Sequence, residues 1–372
     1  MKYIPVNIPL IGNGNEKKYV DECISSGWIS SEGGFVSKFE SEFAKYIGKR
    51  FAVSVTNGSS AIYLSIKALG LKAGDEVIMP TFTIISCISY LVTNGIKPVL
   101  VDADPITWNM DTASVEEKIN ENTKAIMIVH IYGLPTEMEP INNLAKKYDL
   151  LVIEDSAEAH GQSYFQRKCG SFGDVSTFSF YANKHITCGE GGMVLTDDEA
   201  IYDRLSYFKN LCFENSQRFV HHDLGWNFRM TNLQAALGLA QLEQIDKFIQ
   251  IKQELGNRYN QEFASLENFN LPCPKTAYAD NHYWVYGLVA KSNTKNAKYF
   301  INKLHERGIG TRPFFWPMHK QPVLNKLGLF LDESHPVSEF IAQQGFYIPS
   351  GIGLAPDQID AVIIEVLRLN QS

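Results

Sequence analysis

The chain has 372 residues, 45% apolar and 20% charged, the composition of a globular protein with more than one core. Its formal net charge of −7 argues against recruitment of nucleic acid or anionic membrane, so a phosphate-bearing ligand must be held by local donors. The six cysteines show no metal-ligand spacing and no apolar run approaches a transmembrane length, which predicts a soluble, cytoplasmic protein without a metal site.

The first 50 residues begin with a proline-containing arm, followed by predicted helices at Glu16–Ser25 and Val36–Ile47. Between these helices lies the loop GWISSEGGF, residues 27–35. Its residues Trp28 and Ser30 are candidates for ligand contact. A packed connector explains the loop equally well.

Between residues 51 and 195, short apolar runs alternate with helical stretches. Such runs are typical of strands buried on both faces of a mostly parallel sheet, which predicts a three-layer α/β/α domain with its ligand at the carboxyl ends of the strands. The seven predicted strands are Phe51–Val55, Glu76–Met79, Pro98–Val101, Ala125–Val129, Leu150–Ile153, Val175–Phe180 and Gly192–Leu195.

The first strand runs into the turn TNGSSA, and a helix is predicted to follow at Ser60–Leu69. Gly58 allows a ligand to approach the backbone, and Ser59 and Ser60 offer hydroxyl groups beside free amides. A helix N-terminus of this kind is an anion site. A serine that only caps the helix is an equally good interpretation.

The stretch from residue 149 to residue 192 contains the central pattern of the chain. Asp155 follows one predicted strand, and Lys184 follows another. Pyridoxal phosphate needs a lysine for its Schiff base and an acid that keeps its ring nitrogen protonated. Ser179 could add a phosphate contact or simply pack. On these residues alone, a surface lysine and a strand-end aspartate are the commoner explanation.

Residues 196 to 246 are predicted to be mostly helical. The composition changes near residue 247, which predicts a boundary between two domains. The large domain, 1–246, includes the N-terminal arm, and the smaller C-terminal α/β domain spans 247–372. Asn227 and Arg229 lie among aromatic residues in a loop that either reaches into a site or caps a helix. The run Thr311–His319 suits either stacking on a nucleotide or a seam between domains.

These motifs resemble the sugar-nucleotide aminotransferases of the DegT/DnrJ/EryC1/StrS group, which are pyridoxal-phosphate enzymes of fold type I (aspartate aminotransferase-like). The resemblance runs nearly end to end and is most specific in FGDVSTFSFYANKHITCGEGGMV, residues 172–194. The segments TFSFYANKHIT, RMTNLQAA and RPFFWPMH are similar to the GDP-perosamine synthase branch of the group.

The resemblance implies a role for each matching residue. Lys184 bonds to the cofactor and shuttles the proton, Asp155 pairs with the pyridine nitrogen, and Glu158 lies near the phenolic oxygen. The cofactor phosphate is held by Gly58, Ser59, Ser60 and Ser179, helped by Asn227 from the partner subunit of a homodimer with shared sites. The implied contacts with the nucleotide sugar come from Trp28, Ser30, His185, Arg229, Arg312, Phe315 and His319.

Three positions depart from the group's pattern. Ile84 stands where an aromatic residue commonly stacks on the cofactor, His185 where the perosamine branch has threonine, and Ala182 where it has glycine. These departures bear on the substrate rather than on the cofactor. A related dehydratase branch has histidine in place of the lysine, so Lys184 favours transamination.

The implied reaction moves an amine from glutamate to the C4 ketone of GDP-4-keto-6-deoxymannose, giving GDP-perosamine for surface polysaccharide such as an O-antigen of lipopolysaccharide. One alternative is the same chemistry on a dTDP- or UDP-linked sugar, at C4 or C3. Another is a non-catalytic regulator with this fold. The joint presence of Asp155, Ser179 and Lys184 argues against the regulator.

Overall fold

The computed structural model describes residues 3–214, 216–291 and 295–371. Its α-helices are α1 Glu16–Ser26, α2 Gly34–Ile47, α3 Gly58–Ala68, α4 Ser86–Thr93, α5 Met138–Tyr148, α6 Glu199–Lys209, α7 Asn232–Leu242, α8 Ile245–Glu262, α9 Ala297–Glu306, α10 Pro322–Lys326, α11 Pro336–Gln344 and α12 Pro356–Leu367. Its strands are β1 Phe51–Val55, β2 Glu76–Pro80, β3 Lys97–Val101, β4 Thr123–Val129, β5 Leu151–Asp155, β6 Ser163–Tyr164, β7 Arg167–Lys168, β8 Val175–Ser179, β9 Gly192–Thr196, β10 Phe269–Asn270, β11 Tyr286–Ala290, β12 Arg312–Pro313 and β13 Gly345–Ile348.

The main sheet has seven strands in the order β1-β9-β8-β5-β4-β2-β3. Strand β9 pairs antiparallel with β1 and β8, and the remaining strands run parallel to one another. All seven predicted strands are therefore confirmed, as is the α/β fold class. Register aligns Val129 with Asp155 and Asp155 with Thr177, so the carboxyl ends of β4, β5 and β8 lie side by side.

Successive residues of the central strands pack into different cores. Met127 of β4 lies in the cluster that also contains Leu64 of α3 and Leu91 of α4. Its neighbours Ile126 and Ile128 lie in the cluster formed with α5. Because side chains of a strand alternate between the faces of its sheet, a strand with helices on both sides is apolar throughout. This explains why continuous apolar runs predicted the strands correctly.

A second, antiparallel sheet of order β10-β11-β13-β12 forms the smaller core with α8, α9 and α12. Helix α8 contributes Phe248 to a core of the large sheet and Tyr259 to the smaller core. The predicted boundary at residue 247 falls inside this helix and stays a prediction. The N-terminal arm, expected with the large domain, contacts both domains: Ile4 N donates to the carbonyl of Gly308 (2.8 Å), and Asn7 Nδ2 donates to the carbonyl of Ala182 (3.2 Å).

The apolar pattern of the segment LQAALGLAQLEQIDKFI is that of one helix, but the segment is divided between α7 and α8. The break lies at Glu243 and Gln244. Glu243 accepts hydrogen bonds from the Tyr19 hydroxyl (2.6 Å) and the Asn15 amide (2.7 Å). The break is thus held by contacts with residues more than two hundred positions away, which local patterns do not report.

Across the described residues, no helix combines the length and the apolar composition needed to cross a bilayer.

Glu154 is a fully buried carboxylate in the middle of the large domain. It bonds to His130 Nε2 (3.0 Å) and accepts from the amides of Gly170, Phe172 (2.8 Å) and Gly173 (2.8 Å). His130 Nδ1 accepts from the Thr136 amide (3.0 Å), so its Nε2–H is the donor to Glu154. Burial alone would raise the pKa of Glu154, but His130 and these amides lower it to about 2.

Glu154→Gln is expected to lower the free energy of unfolding by about 3–5 kcal/mol, because it leaves buried donors without their charged acceptor. Since the folded pKa lies below the unfolded value of about 4.3, this stabilisation is present above that pH and is lost as the pH falls towards 2. Denaturant unfolding of both proteins across this range measures the difference. Exposed Glu117→Gln is the control, and equal midpoints for Glu154→Gln and wild type at neutral pH would contradict the assignment.

Candidate active site

A cavity of about 540 Å³ opens where the carboxyl ends of β5 and β8 meet the small domain. The helix starts of α3 and α4 border it on one side. Eight of the predicted site residues line this cavity: Gly58, Ser59, Ile84, Asp155, Glu158, Ser179, Lys184 and Phe315. The fold therefore brings together residues that are separated by more than 250 positions in the chain.

Asp155 ends β5 and is 2% exposed. Its Oδ1 accepts from the Ala157 amide (3.0 Å) and the Thr177 hydroxyl (3.3 Å), and its Oδ2 accepts from Cys87 Sγ (3.4 Å). Burial raises the pKa of Asp155, while these donors and the charge of Lys184 oppose the rise. The carboxylate is thus fixed in orientation and can pair with a cationic ring nitrogen in the cavity.

Lys184 follows β8 in a turn that is closed by a hydrogen bond from its main-chain amide to the Tyr181 carbonyl (2.9 Å). Its Nζ lies 3.9 Å from Glu158 Oε1 and 3.6 Å from the centre of the Trp284 ring. Burial lowers the pKa of Lys184, against the opposing charges of Glu158 and Asp155. A lowered pKa leaves more of the amine unprotonated, which is the form that acts as nucleophile and base.

Glu158 lies between the main chain and Lys184. Its Oε2 accepts from the Tyr132 amide (2.8 Å), and its Oε1 faces the lysine amine. Burial raises the pKa of Glu158 to about 7, with the charge of Lys184 acting in the opposite direction. This carboxyl can therefore gain or lose a proton near neutral pH.

The start of α3 supplies donors at the other end of the cavity. Asn57 caps the helix, because its Oδ1 accepts from the Ser60 amide (2.8 Å). The amides of Gly58 and Ser59 precede the first intrahelical bonds and can serve an anion. A Cβ on Gly58 would lie 2.8 Å from Ser179 Cβ, so only glycine leaves this corner open.

Three predictions of ligand contact are not supported by where the side chains lie. Ser60 is outside the cavity lining, and its hydroxyl pairs with Thr56 Oγ1 (3.0 Å). His185 is also outside the lining and is only 2% exposed, with its ring 5.9 Å from that of His160.

His319 is the third. Its Nδ1 bonds with Thr81 Oγ1 (2.8 Å) and its Nε2 with Glu339 Oε1 (3.0 Å), so both ring nitrogens are occupied. The residue links the end of β2 to α11 and is buried. Its placement fits the interdomain seam, the alternative interpretation of the Thr311–His319 run.

The other predicted contacts lie outside the cavity lining of this single chain and stay predictions. Arg229 Nη1 donates to Asn210 Oδ1 (2.6 Å), and Arg312 is exposed in β12. Asn227, Trp28 and Ser30 are exposed as well.

Two residues next to the site were missed by sequence reasoning. Trp284 lies against Lys184, and Cys87 bonds to Asp155. Trp284 follows Asn183 by 101 positions, and neither Trp284 nor Cys87 belongs to a local pattern that indicates function. Their proximity depends on the tertiary fold. Within the described ranges, no group of three or more His, Cys, Asp or Glu side chains could hold a metal ion.

The chain matches the DegT/DnrJ/EryC1/StrS aminotransferase family over residues 11–367. It is 42% identical to the GDP-perosamine synthase of Escherichia coli O157:H7 over 359 residues, which cover 96% of each chain. Helicobacter pylori PseC, an aminotransferase involved in the biosynthesis of pseudoaminic acid, superposes with a TM-score of 0.93 at 25% identity over 100% of both chains. GDP-4-keto-6-deoxymannose-3-dehydratase ColD, solved with bound GDP-perosamine, superposes with a TM-score of 0.89 at 25% identity over 98% of this chain and 100% of that one.

A buried lysine and a buried carboxylate that share a cavity with a helix end for phosphate meet the needs of pyridoxal phosphate, and the fold is that of the sugar aminotransferases using it. The class of protein is therefore a pyridoxal-phosphate-dependent aminotransferase. More narrowly, the chain belongs to the DegT/DnrJ/EryC1/StrS aminotransferase family, which confirms the resemblance, the fold and the cofactor expected from the sequence.

Gly58→Ala is expected to weaken binding of pyridoxal phosphate at least about tenfold, because the added methyl group meets Ser179 where the phosphate donors converge. Absorbance titration of the cofactor-free protein measures the affinity. Gly34→Ala is a matched control, since Gly34 also opens a helix and a Cβ there meets nothing within 4 Å. Equal affinities for the two variants would show that the corner does not hold the phosphate.

Proposed function

We propose that the protein transfers the amino group of glutamate to the C4 ketone of GDP-4-keto-6-deoxymannose and forms GDP-perosamine. The observation that carries the proposal is the 42% identity to a GDP-perosamine synthase over 96% of this chain. The assembly of Lys184, Asp155 and Glu158 in one cavity supports it, because these residues supply the groups that a transaminase requires.

When bound, pyridoxal phosphate supplies an electron sink for the carbon that loses a proton. The Nζ of Lys184 takes the proton from the amine-bearing carbon of the amino acid and later delivers a proton to C4 of the sugar. Its lowered pKa favours this exchange near neutral pH. Asp155 would keep the ring nitrogen protonated, and its three donors prevent it from turning away.

Glu158 has the position and the raised pKa to balance the charge of Lys184 during these transfers. As a carboxylate it stabilises the ammonium form of the lysine. As a carboxylic acid it can donate to an oxygen in the cavity. Its bond from the Tyr132 amide holds one oxygen in place and leaves the other for this work.

The nucleotide sugar is proposed to enter from the side of the small domain. Phe315 lines the cavity, and its main-chain amide donates a hydrogen bond to the Tyr132 hydroxyl (3.1 Å). Arg312, three positions earlier in the chain, is exposed; its Nη1 donates to the Thr311 carbonyl (2.9 Å), and its remaining guanidinium donors can meet a diphosphate. Trp28, Ser30 and Arg229 would complete the contacts from the surface around the cavity.

We further propose a homodimer with shared sites. Tyr181 and Ile84 line the cavity and are 48% and 42% exposed, and Trp28 and Leu224 are 57% and 88% exposed. Large exposed apolar side chains, two of them in the cavity lining, are typical of a surface that another protein covers. A second copy of the chain would cover it and bring Asn227 to the phosphate end of the cavity.

The reaction is proposed to take place in the cytoplasm, where a reducing environment suits the six free cysteines. An amino sugar activated by a nucleotide is a donor for glycosyl transfer. The product is therefore proposed to serve the synthesis of surface polysaccharide such as an O-antigen.

The test of the reaction is spectrophotometric. Wild-type protein with pyridoxal phosphate is expected to show a cofactor absorbance band, which glutamate bleaches and GDP-4-keto-6-deoxymannose restores. Lys184→Ala and Lys184→Arg should both lack the band of the lysine-bound cofactor, and the arginine variant retains a positive charge as a control for folding.

Each other outcome contradicts one part of the proposal. Restoration only by a dTDP- or UDP-linked keto sugar would keep the aminotransferase and reject the GDP-linked substrate. Bleaching by another amino acid but not by glutamate would reject the donor. Absence of any band would favour the non-catalytic regulator.

The shared site predicts complementation between two inactive variants. Lys184→Ala lacks the reacting amine, and Asn227→Asp places a negative charge beside the phosphate at nearly constant size. Each variant alone should be inactive, whereas co-expression should restore activity, because a mixed dimer contains one native site. Sedimentation establishes the dimer. Mixed dimers without activity would contradict a contribution of Asn227 across the interface.

A further inference from the structure

The indole ring of Trp284 lies against the Lys184 amine. The residue lies just before β11 and is 5% exposed, and Lys184 Nζ lies over its indole ring, 3.6 Å from the ring centre. The nearest carboxylate oxygen, Glu158 Oε1, is 3.9 Å away, beyond hydrogen-bond distance. A cation within about 6 Å of an indole face is attracted by the ring's quadrupole, and more strongly when water is excluded.

Trp284 is held by one hydrogen bond of its side chain and one of its main chain. Its Nε1 donates to the carbonyl of Asn183 (2.9 Å), the residue immediately before Lys184. The main-chain carbonyl of Trp284 accepts a hydrogen bond from Lys252 Nζ (3.0 Å). Lys252 is a buried lysine of α8 that also donates to the Ser350 carbonyl. The ring is therefore tied to the lysine's own turn and to the helix that joins the two cores.

We propose that Trp284, together with Glu158, forms a docking site for the ammonium form of Lys184 in the part of the catalytic cycle when its amine is not bonded to the cofactor. The inference rests on the proposed aminotransferase function and deepens it. A lysine has four rotatable side-chain bonds, and its released amine would otherwise be a mobile buried cation. Attraction to the indole face holds the released Lys184 amine in one position. Trp284 is therefore a positioning residue.

The groups around the Lys184 amine differ in whether they favour its ammonium form. Asp155 and Glu158 favour the ammonium form, and burial opposes it. His160 adds no charge, because burial and the charge of Lys184 lower its pKa to about 3. The indole is thus the uncharged group that favours the ammonium form, and it does so without accepting the proton that Lys184 must transfer.

The test follows the capture of pyridoxal phosphate by cofactor-free protein as a function of pH. Capture requires the unprotonated amine, so the inflection of the rate reports the pKa of Lys184. Trp284→Leu keeps the apolar burial and removes the aromatic face, and should move the inflection to lower pH by about 0.5–1 unit. Trp284→Phe keeps an aromatic face and should move it by less than half as much.

Trp316→Leu is the control, since this exposed tryptophan bonds to the Lys320 carbonyl and does not line the cavity. Its inflection should match wild type. If Trp284→Leu folds poorly, Trp284→Met makes the same comparison with an unbranched side chain. An unchanged inflection, a shift to higher pH, or equal shifts in the leucine and phenylalanine variants would overturn the docking site.

The proposed function fails separately from this inference. A wild-type protein with the predicted pH profiles that never aminates a keto sugar would contradict the function alone. A wild-type protein that captures no pyridoxal phosphate would overturn both.

Discussion

The burial of the Lys184 amine between two carboxylates is the constraint on which the site depends. A lone ammonium group in a protein interior is costly, so the fold has to provide opposing charge within a few ångströms. Glu158 supplies it at 3.9 Å, and Asp155 adds to it. Both come from the segment around the end of β5, while the lysine follows β8. The parallel pairing of these strands is what brings the three groups to one edge of the sheet.

Glu154 and Asp155 show how strand geometry assigns different tasks to adjacent carboxylates. Consecutive residues of β5 point to opposite faces of the sheet. Glu154 meets His130 and three main-chain amides, which lower its pKa to about 2 and make it a structural anion. Asp155 faces the cavity, where burial raises its pKa. One residue fixes the loop that leads to β8, and the other is available to the cofactor.

The sequence predicted what depends on local pattern and on family resemblance. Continuous apolar runs located all seven strands of the large sheet, because strands covered on both faces are apolar at every position. Resemblance located Asp155 and Lys184. Side-chain direction and tertiary proximity leave no such pattern: His185 is next to Lys184 in the chain but lies outside the cavity lining, and Trp284, just before β11, lies against the lysine. The break between α7 and α8 is likewise held by Tyr19 and Asn15 of the N-terminal region.

The position of Lys184 in the cavity beside Asp155 and Glu158 predicts that this lysine, and no other, bonds to pyridoxal phosphate. Borohydride reduction of the protein with bound cofactor, followed by peptide mass mapping, tests it most directly. The added mass is expected on Lys184, in the peptide that contains TFSFYANKHIT. Modification of a different lysine, or a native protein that carries no modification, would contradict it.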